Sequence, residues 1–249
     1  MPRTEAMHAG QVEFKGHNGD TISGYLAAPA GGGPAGAVIV LHEIFGLVPH
    51  IKEVARKMAA HGYLALAPDL FHREGPGEPD DVAAAVRAAG GPPDARVIGD
   101  VAGAAKHLRS LPGSNGKVGV MGFCSGGRQT YLVACNIPDL NAAIDCYGGR
   151  VVANNPTDVN PRQPVAPIEM TANLACPLMG LFGAEDKSPS LDNVKRMEQE
   201  LKKHGKTYEF HVYENAGHAF FADYRPSYRQ AAAVDGWQKV FGWWERWLG

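Results

Sequence analysis

The sequence predicts an α/β fold with a mostly parallel central sheet of about eight strands and helices on both faces. Short apolar runs alternate along the chain with longer segments of helical spacing, an order typical of β-α-β units. The runs are apolar throughout, as expected for parallel strands that are buried on both faces. Because 249 residues suffice for a sizeable core and no linker or repeat interrupts them, we expect one domain over residues 1–249.

The first two predicted strands form a hairpin at residues 11–14 and 21–27. The turn between them, residues 16–20, contains Asn-Gly-Asp, which favours tight turns. The Gly- and Pro-rich stretch 31–34 then breaks the chain. Six further strands are predicted at residues 37–41, 63–67, 117–121, 140–147, 177–182 and 206–213.

Helices are predicted where apolar residues recur every three or four positions. Residues 49–60 show this pattern with Ile51, Val54 and Met58 on one face, and Gly62 follows as a stop signal. The other predicted helices cover 80–89, 94–111, 128–135, 191–204 and 227–248. The last of them carries four tryptophans, Trp237, Trp243, Trp244 and Trp247, which we expect to pack it onto the sheet.

Three segments without a clear period are predicted as loops. Residues 71–79 are rich in Gly and Pro, and residues 214–224 follow the last strand. Residues 151–174 are polar and Pro-rich, and we expect them to form a long surface loop.

Composition excludes several classes of function. Lys and Arg number 24 against 26 Asp and Glu, and no basic run occurs, so nothing indicates a nucleic-acid partner. No run approaches the ~18 apolar residues that span a membrane, and residues 1–10 lack the apolar core of an export signal. We therefore expect a cytoplasmic protein whose four cysteines, Cys124, Cys135, Cys146 and Cys176, are free thiols.

No motif for a metal or a cofactor is present. His42, His72 and His204 lack the spacing of metal ligands, and there is no HExxH sequence. The glycines at 31–33 are not followed by Lys-Ser/Thr, so they do not form a phosphate-binding loop. We expect no metal and no cofactor.

The sequence G-F-C-S-G-G at residues 122–127, between a predicted strand and a predicted helix, is typical of a nucleophile elbow. Small residues are needed two positions before and two after the nucleophile, and Gly122 and Gly126 meet that need around Cys124. Ser125 fits the central position less well because its flanking residues are Phe123 and Gly127. The alternative is a Gly-rich turn with a buried cysteine.

An elbow predicts an acid and then a histidine on later loops that follow strands. Asp186 lies four residues after the strand at 177–182, and His218 lies five after the strand at 206–213. Carboxyl ends of parallel strands meet at one edge of a sheet, so these loops can converge. Glu185 and Asp192 are alternatives to Asp186, which we prefer.

These residues predict nucleophilic catalysis. His218 would take the thiol proton of Cys124 or hold the thiolate as an ion pair, and Asp186 would orient His218. The backbone N–H groups of Ser125 and Ile44 are the predicted oxyanion donors. The N-terminus of the elbow helix also favours a thiolate at Cys124.

The chain from about residue 10 to 248 resembles the dienelactone hydrolase (carboxymethylenebutenolidase) family, a branch of the α/β-hydrolases. The matching segments are His42-Glu43-Ile44-Phe45-Gly46, Ala67-Pro68-Asp69-Leu70, residues 122–127, Tyr147-Gly148-Gly149, Gly183-Ala184-Glu185-Asp186 and Gly217-His218-Ala219-Phe220. The resemblance implies a triad of Cys124, Asp186 and His218, with Glu43 contacting the thiol and helping to ionise it when substrate arrives. It also implies hydrolysis of dienelactone, a cyclic enol ester, to maleylacetate in the degradation of aromatic compounds.

The sequence departs from the family where substrate is held. The prototype enzymes carry an Arg four residues after the catalytic His to bind the substrate carboxylate, and this position is Ala222 here. Arg225 is displaced by three residues, and Arg73 and Arg87 are other candidates. On sequence alone, Glu43 fits a surface charge about as well as a group facing the active-site cleft.

We therefore expect a cofactor-independent cysteine hydrolase acting on a small-molecule ester or lactone through a thioester intermediate. Alternatives are a thioesterase or peptidase with the same triad, and a non-catalytic binding module on a hydrolase scaffold. The expected assembly is a monomer or small homo-oligomer.

Overall fold

The computed structural model of the chain describes residues 7–31, 33–75 and 77–249. The predicted break at 31–34 and the predicted loop at 71–79 each include one residue outside this set. Most of the stretch 1–10, which was expected to lack an export signal, also lies outside it. Eight strands lie in the described part: β1 Met7–Lys15, β2 Thr21–Pro29, β3 Ala35–Leu41, β4 Leu64–Pro68, β5 Ser114–Phe123, β6 Ala142–Cys146, β7 Leu178–Gly183 and β8 Tyr208–Tyr213. The α-helices are α1 Pro49–Ala60, α2 Pro79–Ala88, α3 Asp94–Ser110, α4 Ser125–Asn136, α5 Leu191–Lys203 and α6 Gln230–Leu248.

The strands form one sheet in the order β1-β2-β4-β3-β5-β6-β7-β8. The β1–β2 and β2–β4 pairs are antiparallel, and every pair from β4 to β8 is parallel. The predicted, mostly parallel sheet is confirmed. The parallel part brings the carboxyl ends of β3, β5, β6, β7 and β8 to one edge.

Strand β3 shows why its sequence is apolar without interruption. Side chains of a strand alternate between the two faces of a sheet. Ala37, Ile39 and Leu41 belong to the core under α3, α4 and α5, whereas Val38 and Val40 belong to the core under α1 and α6. All five are fully buried, so both faces of the strand require apolar residues.

The tryptophans of α6 pack the helix onto the sheet, as the sequence predicts. Trp243 and Trp244 are buried, and Trp237 and Trp247 are partly buried against the same core. A Cβ atom added to Gly119 of β5 would lie 2.6 Å from the ring of Trp244, so the glycine makes room for the indole. The helix begins at Gln230, three residues later than predicted.

Residues 151–174 are not the surface loop that the sequence predicted. They contain two 3-10 helices, Pro156–Asp158 and Pro167–Asn173, and the side chains of Val151, Val152 and Thr171 are buried. The hydroxyl groups of Thr171 and Tyr131 lie 2.7 Å apart, which ties the segment to α4. Short 3-10 turns have no helical or strand period, so pattern analysis missed them.

Among residues 7–31, 33–75 and 77–249, no helix is both long enough and apolar enough to cross a membrane.

Candidate active site

Cys124 occupies a sharp turn between β5 and α4. Its backbone has φ 56° and ψ −115°, a conformation that non-glycine residues seldom adopt. A Cβ atom at Gly122 would overlap the carbonyl group of Gly126, and one at Gly126 would overlap the carbonyl group of Leu41. The backbone at the elbow therefore has the geometry that the G-F-C-S-G-G motif predicts, with Cys124 at its apex.

Asp186 and His218 meet above the ends of β7 and β8. The Asp186 Oδ2 atom lies 2.8 Å from His218 Nδ1, and Oδ1 accepts a hydrogen bond of 2.9 Å from the backbone N–H of Ser188. The two alternatives for the acid, Glu185 and Asp192, are exposed to solvent. Of the three acids, Asp186 is the one that meets the histidine.

His218 also faces Cys124, and its charge depends on both neighbours. Burial acts to lower the pKa of His218, but its interactions with Asp186 and Cys124 outweigh burial and raise the pKa to about 10. The protonated ring is thus the form that this pair of neighbours favours.

Cys124, Asp186 and His218 line one cavity of about 660 Å³, together with Ile44 and Ser125. Ser125 is the first residue of α4, and Ile44 follows β3. Within the part of the chain that the structure describes, neither backbone N–H group donates to another backbone carbonyl. Both N–H groups are therefore free to meet a ligand oxygen beside the sulfur.

Glu43 is buried and points towards Arg225 rather than to solvent. Its Oε2 atom lies 3.0 Å from Arg225 Nη2, and its side chain is 2% exposed. Burial raises the pKa of Glu43, and Arg225, His218 and Tyr224 oppose the rise. No hydrogen bond joins Glu43 to Cys124 among the described residues. The partner of the Glu43 carboxylate in this structure is therefore Arg225 and not the thiol.

The arginines proposed for a substrate carboxylate have different surroundings. Arg73 is bound by Asp20 and Asp100 at 2.8–3.1 Å and does not line the cavity of Cys124. Arg87 lines that cavity. Arg225 stacks on the rings of Phe45 and Tyr224, with its guanidinium carbon 4.8 and 5.1 Å from their centroids. Ala222, where the prototype Arg would stand, is fully buried.

A buried ion pair forms part of the cavity wall, and sequence analysis missed it. Arg128 Nη1 and Nη2 donate to the two carboxylate oxygens of Asp94 at 2.7 and 3.0 Å. Both side chains are less than one-tenth exposed. The one signal in the sequence was an arginine near the start of the elbow helix. Its partner lies 34 residues earlier, which no local pattern reveals.

Another buried acid, Asp145, lies beneath the elbow on β6. Its Oδ1 atom accepts a 2.7 Å hydrogen bond from the backbone N–H of Gly148, and a Cβ atom on Gly127 would overlap it. Oδ2 has no partner within the described chain. Burial raises the pKa of Asp145 to about 7, and the bond from Gly148 opposes the rise.

The four cysteines are free, and Cys124 is the one that is partly exposed. Burial raises the pKa of Cys135 and of Cys176 to about 12. Among residues 7–31, 33–75 and 77–249, no group of three or more His, Cys, Asp or Glu side chains has the arrangement of a metal site.

Comparison with known proteins relates this chain to an established family. The sequence profile of the Dienelactone hydrolase family matches residues 22–248. A "Putative carboxymethylenebutenolidase" of Methylorubrum extorquens is 38% identical over 243 residues, covering 94% of this chain and 80% of that protein. A protein of the same name from Escherichia coli K12 is 38% identical over 240 residues, covering 93% and 84%. The crystal structure of a "Putative Dienelactone Hydrolase" from Klebsiella pneumoniae superposes with a TM-score of 0.88 and 36% identity, covering 97% of this chain and 100% of that one.

Proposed function

Because the chain belongs to the dienelactone hydrolase family and its sheet has the α/β-hydrolase fold, we propose that it hydrolyses a small ester or lactone with Cys124, His218 and Asp186. The proposed substrates are enol lactones of the dienelactone type and related activated esters. The observation that carries the proposal is the 2.8 Å contact of Asp186 with His218 beside a cysteine at the apex of the elbow.

The first chemical step is attack of the Cys124 sulfur on the ester carbonyl carbon. The S–C bond forms and the carbonyl oxygen becomes an oxyanion beside the N–H groups of Ser125 and Ile44. The C–O bond to the leaving group then breaks, and His218 gives its proton to the departing oxygen. The product of this half-reaction is a thioester on Cys124.

Water completes the cycle. His218, now neutral and held by Asp186, accepts a proton from water while the water oxygen attacks the thioester carbon. The C–S bond breaks, the acid product leaves, and the thiolate and imidazolium return. His218 either takes the thiol proton during the reaction or holds a thiolate as an ion pair beforehand. The raised pKa of His218 supports the ion pair as the resting state, and the N-terminus of α4 stabilises negative charge on the sulfur.

Arg225 is the proposed anchor for a substrate carboxylate in place of the arginine missing at Ala222. Arg225 lines a second cavity with Phe45, His50 and Tyr224, and its 3.0 Å contact with Glu43 joins it to the residue that precedes Ile44 of the Cys124 cavity. A substrate carboxylate that binds Arg225 would weaken that contact and leave Glu43 with an uncompensated buried charge. If Cys124 rests as a neutral thiol, the other of the two alternatives, Glu43 would then accept the thiol proton, the role that the family resemblance implies. In the ion-paired state His218 already holds that proton, and Glu43 acts as a neighbouring charge.

A direct test compares wild type with Cys124→Ala on dienelactone, 4-nitrophenyl acetate and an acyl thioester. We expect wild type to hydrolyse at least one ester, iodoacetamide to abolish the activity, and Cys124→Ala to be inactive. Full activity in Cys124→Ala would refute the proposal. Hydrolysis of the thioester alone would indicate a thioesterase, and turnover of none of the three would favour the binding module.

A further inference from the structure

His42 is a buried histidine directly after β3 that the proposed chemistry does not use. The residue is 1% exposed, and it is not among those that line the Cys124 cavity. A Cβ atom added to Gly126 of the elbow would lie 2.8 Å from the backbone carbonyl oxygen of His42, so the end of β3 abuts the elbow. Because buried polar groups are normally hydrogen-bonded, the partners of the two ring nitrogens show what this histidine holds in place.

Both ring nitrogens of His42 have backbone partners, and these partners fix the tautomer. The backbone N–H of Leu70 donates to Nε2 at 3.1 Å, so Nε2 carries no proton. Nδ1 therefore carries the proton of the neutral ring and donates to the carbonyl oxygen of Glu43 at 2.6 Å. Burial lowers the pKa of His42, which favours the neutral ring that this arrangement requires.

Packing holds the His42 ring in this orientation. The ring of Phe71 meets it edge-on, with the centroids 4.6 Å apart and an angle of 73° between the planes. Leu70 and Phe71 follow β4, which pairs with β3 in the sheet. The His42 ring thus bridges the loop after β4 and the turn after β3 that carries Ile44.

The carbonyl group that His42 binds belongs to the same peptide unit as the N–H group of Ile44. In a trans peptide, the C=O and N–H bonds lie in one plane and point in opposite directions. A hydrogen bond that fixes the direction of the Glu43 carbonyl therefore also fixes the direction of the Ile44 N–H. The same oxygen accepts a second, longer bond of 3.2 Å from the backbone N–H of Gly46, so both of its lone pairs are used.

A hydrogen bond on the carbonyl also makes the opposite N–H a stronger donor. Hydrogen bonds in a chain polarise one another, so the short bond from His42 draws electron density towards the Glu43 oxygen and leaves the Ile44 N–H more positive. Ile44 lines the Cys124 cavity, and its N–H donates to no backbone carbonyl within the residues that the structure describes. The donor that His42 orients and polarises is therefore one that a ligand oxygen beside the sulfur would use.

We propose that His42 is a positioning residue for the oxyanion, aiming the Ile44 N–H through the shared peptide unit and strengthening it as a donor. The inference rests on the proposed function, in which this N–H meets the oxyanion. His42 touches neither the substrate nor the sulfur. Its contribution falls on the steps in which the carbonyl oxygen becomes negative, the formation and the hydrolysis of the thioester, and not on substrate binding.

Two substitutions separate the two hydrogen bonds of the His42 ring. The amide nitrogen of Asn is as many bonds from Cα as Nδ1, so His42→Asn keeps a donor for the Glu43 carbonyl and loses the acceptor for the Leu70 N–H. The amide oxygen of Gln is as many bonds from Cα as Nε2, so His42→Gln keeps the acceptor and loses the donor.

The first experiment measures kcat and KM for the ester that wild type hydrolyses best. We expect His42→Gln to lower kcat about tenfold, less than the loss of an oxyanion donor itself, with KM changed by less than about twofold. His42→Asn should lower kcat by less than about threefold, because the bond to the Glu43 carbonyl is kept. His61→Gln, at an exposed histidine whose Nδ1 lies 2.9 Å from the carbonyl oxygen of Lys57, is the control and should leave both constants unaltered.

A second experiment needs no turnover. When the Cys124 sulfur adds to trifluoroacetone, the S–C bond forms and the carbonyl oxygen becomes an oxyanion. Iodoacetamide instead alkylates the sulfur with loss of iodide and forms no oxyanion. We expect His42→Gln to weaken the binding of trifluoroacetone about tenfold and to change the alkylation rate by less than about twofold, with His42→Asn close to wild type in both.

A role of His42 in packing alone predicts a different pattern. Each variant loses one hydrogen bond, so kcat and trifluoroacetone affinity would then fall equally in His42→Asn and His42→Gln, in step with the unfolding free energy in urea. Equal losses of this kind overturn the proposal, and so do an unchanged kcat and ketone affinity in His42→Gln. If wild type hydrolyses no ester but trifluoroacetone binding still falls selectively in His42→Gln, the proposed function is refuted and the role of His42 stands.

Discussion

Replacement of Asp145 by Asn tests how far the buried carboxyl beneath the elbow controls stability. Asn has the shape of Asp, keeps an acceptor for the Gly148 N–H group and cannot ionise. Asp145 is fully buried, and burial raises its pKa from an ordinary 3.8 to about 7. The wild-type folded state therefore binds a proton that the unfolded state releases at low pH.

The sign of the effect follows from linkage. A folded-state pKa above the unfolded value contributes stability that is complete below about pH 4 and is lost as the pH rises through 7. With these two values, wild type should lose about 2.5 kcal/mol of unfolding free energy between pH 5 and pH 8 through this group alone. Asp145→Asn lacks this loss.

The assay is urea unfolding of both proteins at pH 5, 6, 7 and 8. The unfolding free energy of the variant minus that of wild type should rise by about 2.5 kcal/mol across the series and level off above pH 7. Asp192→Asn, a substitution of an exposed acid, should show a difference below about 0.5 kcal/mol at every pH. A difference between Asp145→Asn and wild type that does not change with pH would show that Asp145 is already ionised at pH 5, and would refute the reasoning.

Three further substitutions test other parts of the site. Gly126→Ala places a Cβ atom against the backbone of β3, so it should lower the unfolding free energy by about 3 kcal/mol in urea and abolish ester hydrolysis. Gly242→Ala, whose Cβ atom would lie in open space on α6, is the control and should raise the unfolding free energy by about 1 kcal/mol. Arg225→Gln removes a charge that lowers the pKa of Glu43, so the acidic limb of the pH profile of kcat/KM should move to higher pH. KM for a carboxylate-bearing ester should rise about tenfold. An acidic limb that does not move would show that ionisation of Glu43 does not control the rate. Arg128→Met leaves the buried carboxylate of Asp94 unpaired, so it should lower the unfolding free energy in urea by about 3 kcal/mol. A decrease below about 1 kcal/mol would mean that solvent reaches the ion pair.

The elements that sequence analysis found share one property, a strong local signal. The apolar run of β3, the glycines around Cys124 and the loop positions of Asp186 and His218 each follow from spacing within a few residues. Such spacing reflects backbone geometry that holds in any protein. For this reason the sheet could be predicted before the structure was known, and so could the loops that carry the candidate site residues.

The features that were missed depend on partners distant in the sequence. Arg128 meets Asp94, and Arg225 meets Glu43, at separations that depend on how the helices and loops cross the sheet. The packing of residues 151–174 rests on contacts such as that of Thr171 with Tyr131, which no period encodes. Local patterns predict where candidate site residues lie along the chain, and tertiary packing decides which charges they meet.

The position of the tryptophans has a consequence for spectroscopy. All four in the chain lie on α6, the last helix, and two of them are buried against the sheet. Intrinsic tryptophan fluorescence therefore reports the release of a single element, whereas far-ultraviolet circular dichroism reports all the helices together. Coincidence of the two signals in urea would show that α6 leaves the sheet only when the whole fold is lost, and an earlier fluorescence change would reveal a C-terminal helix that detaches first.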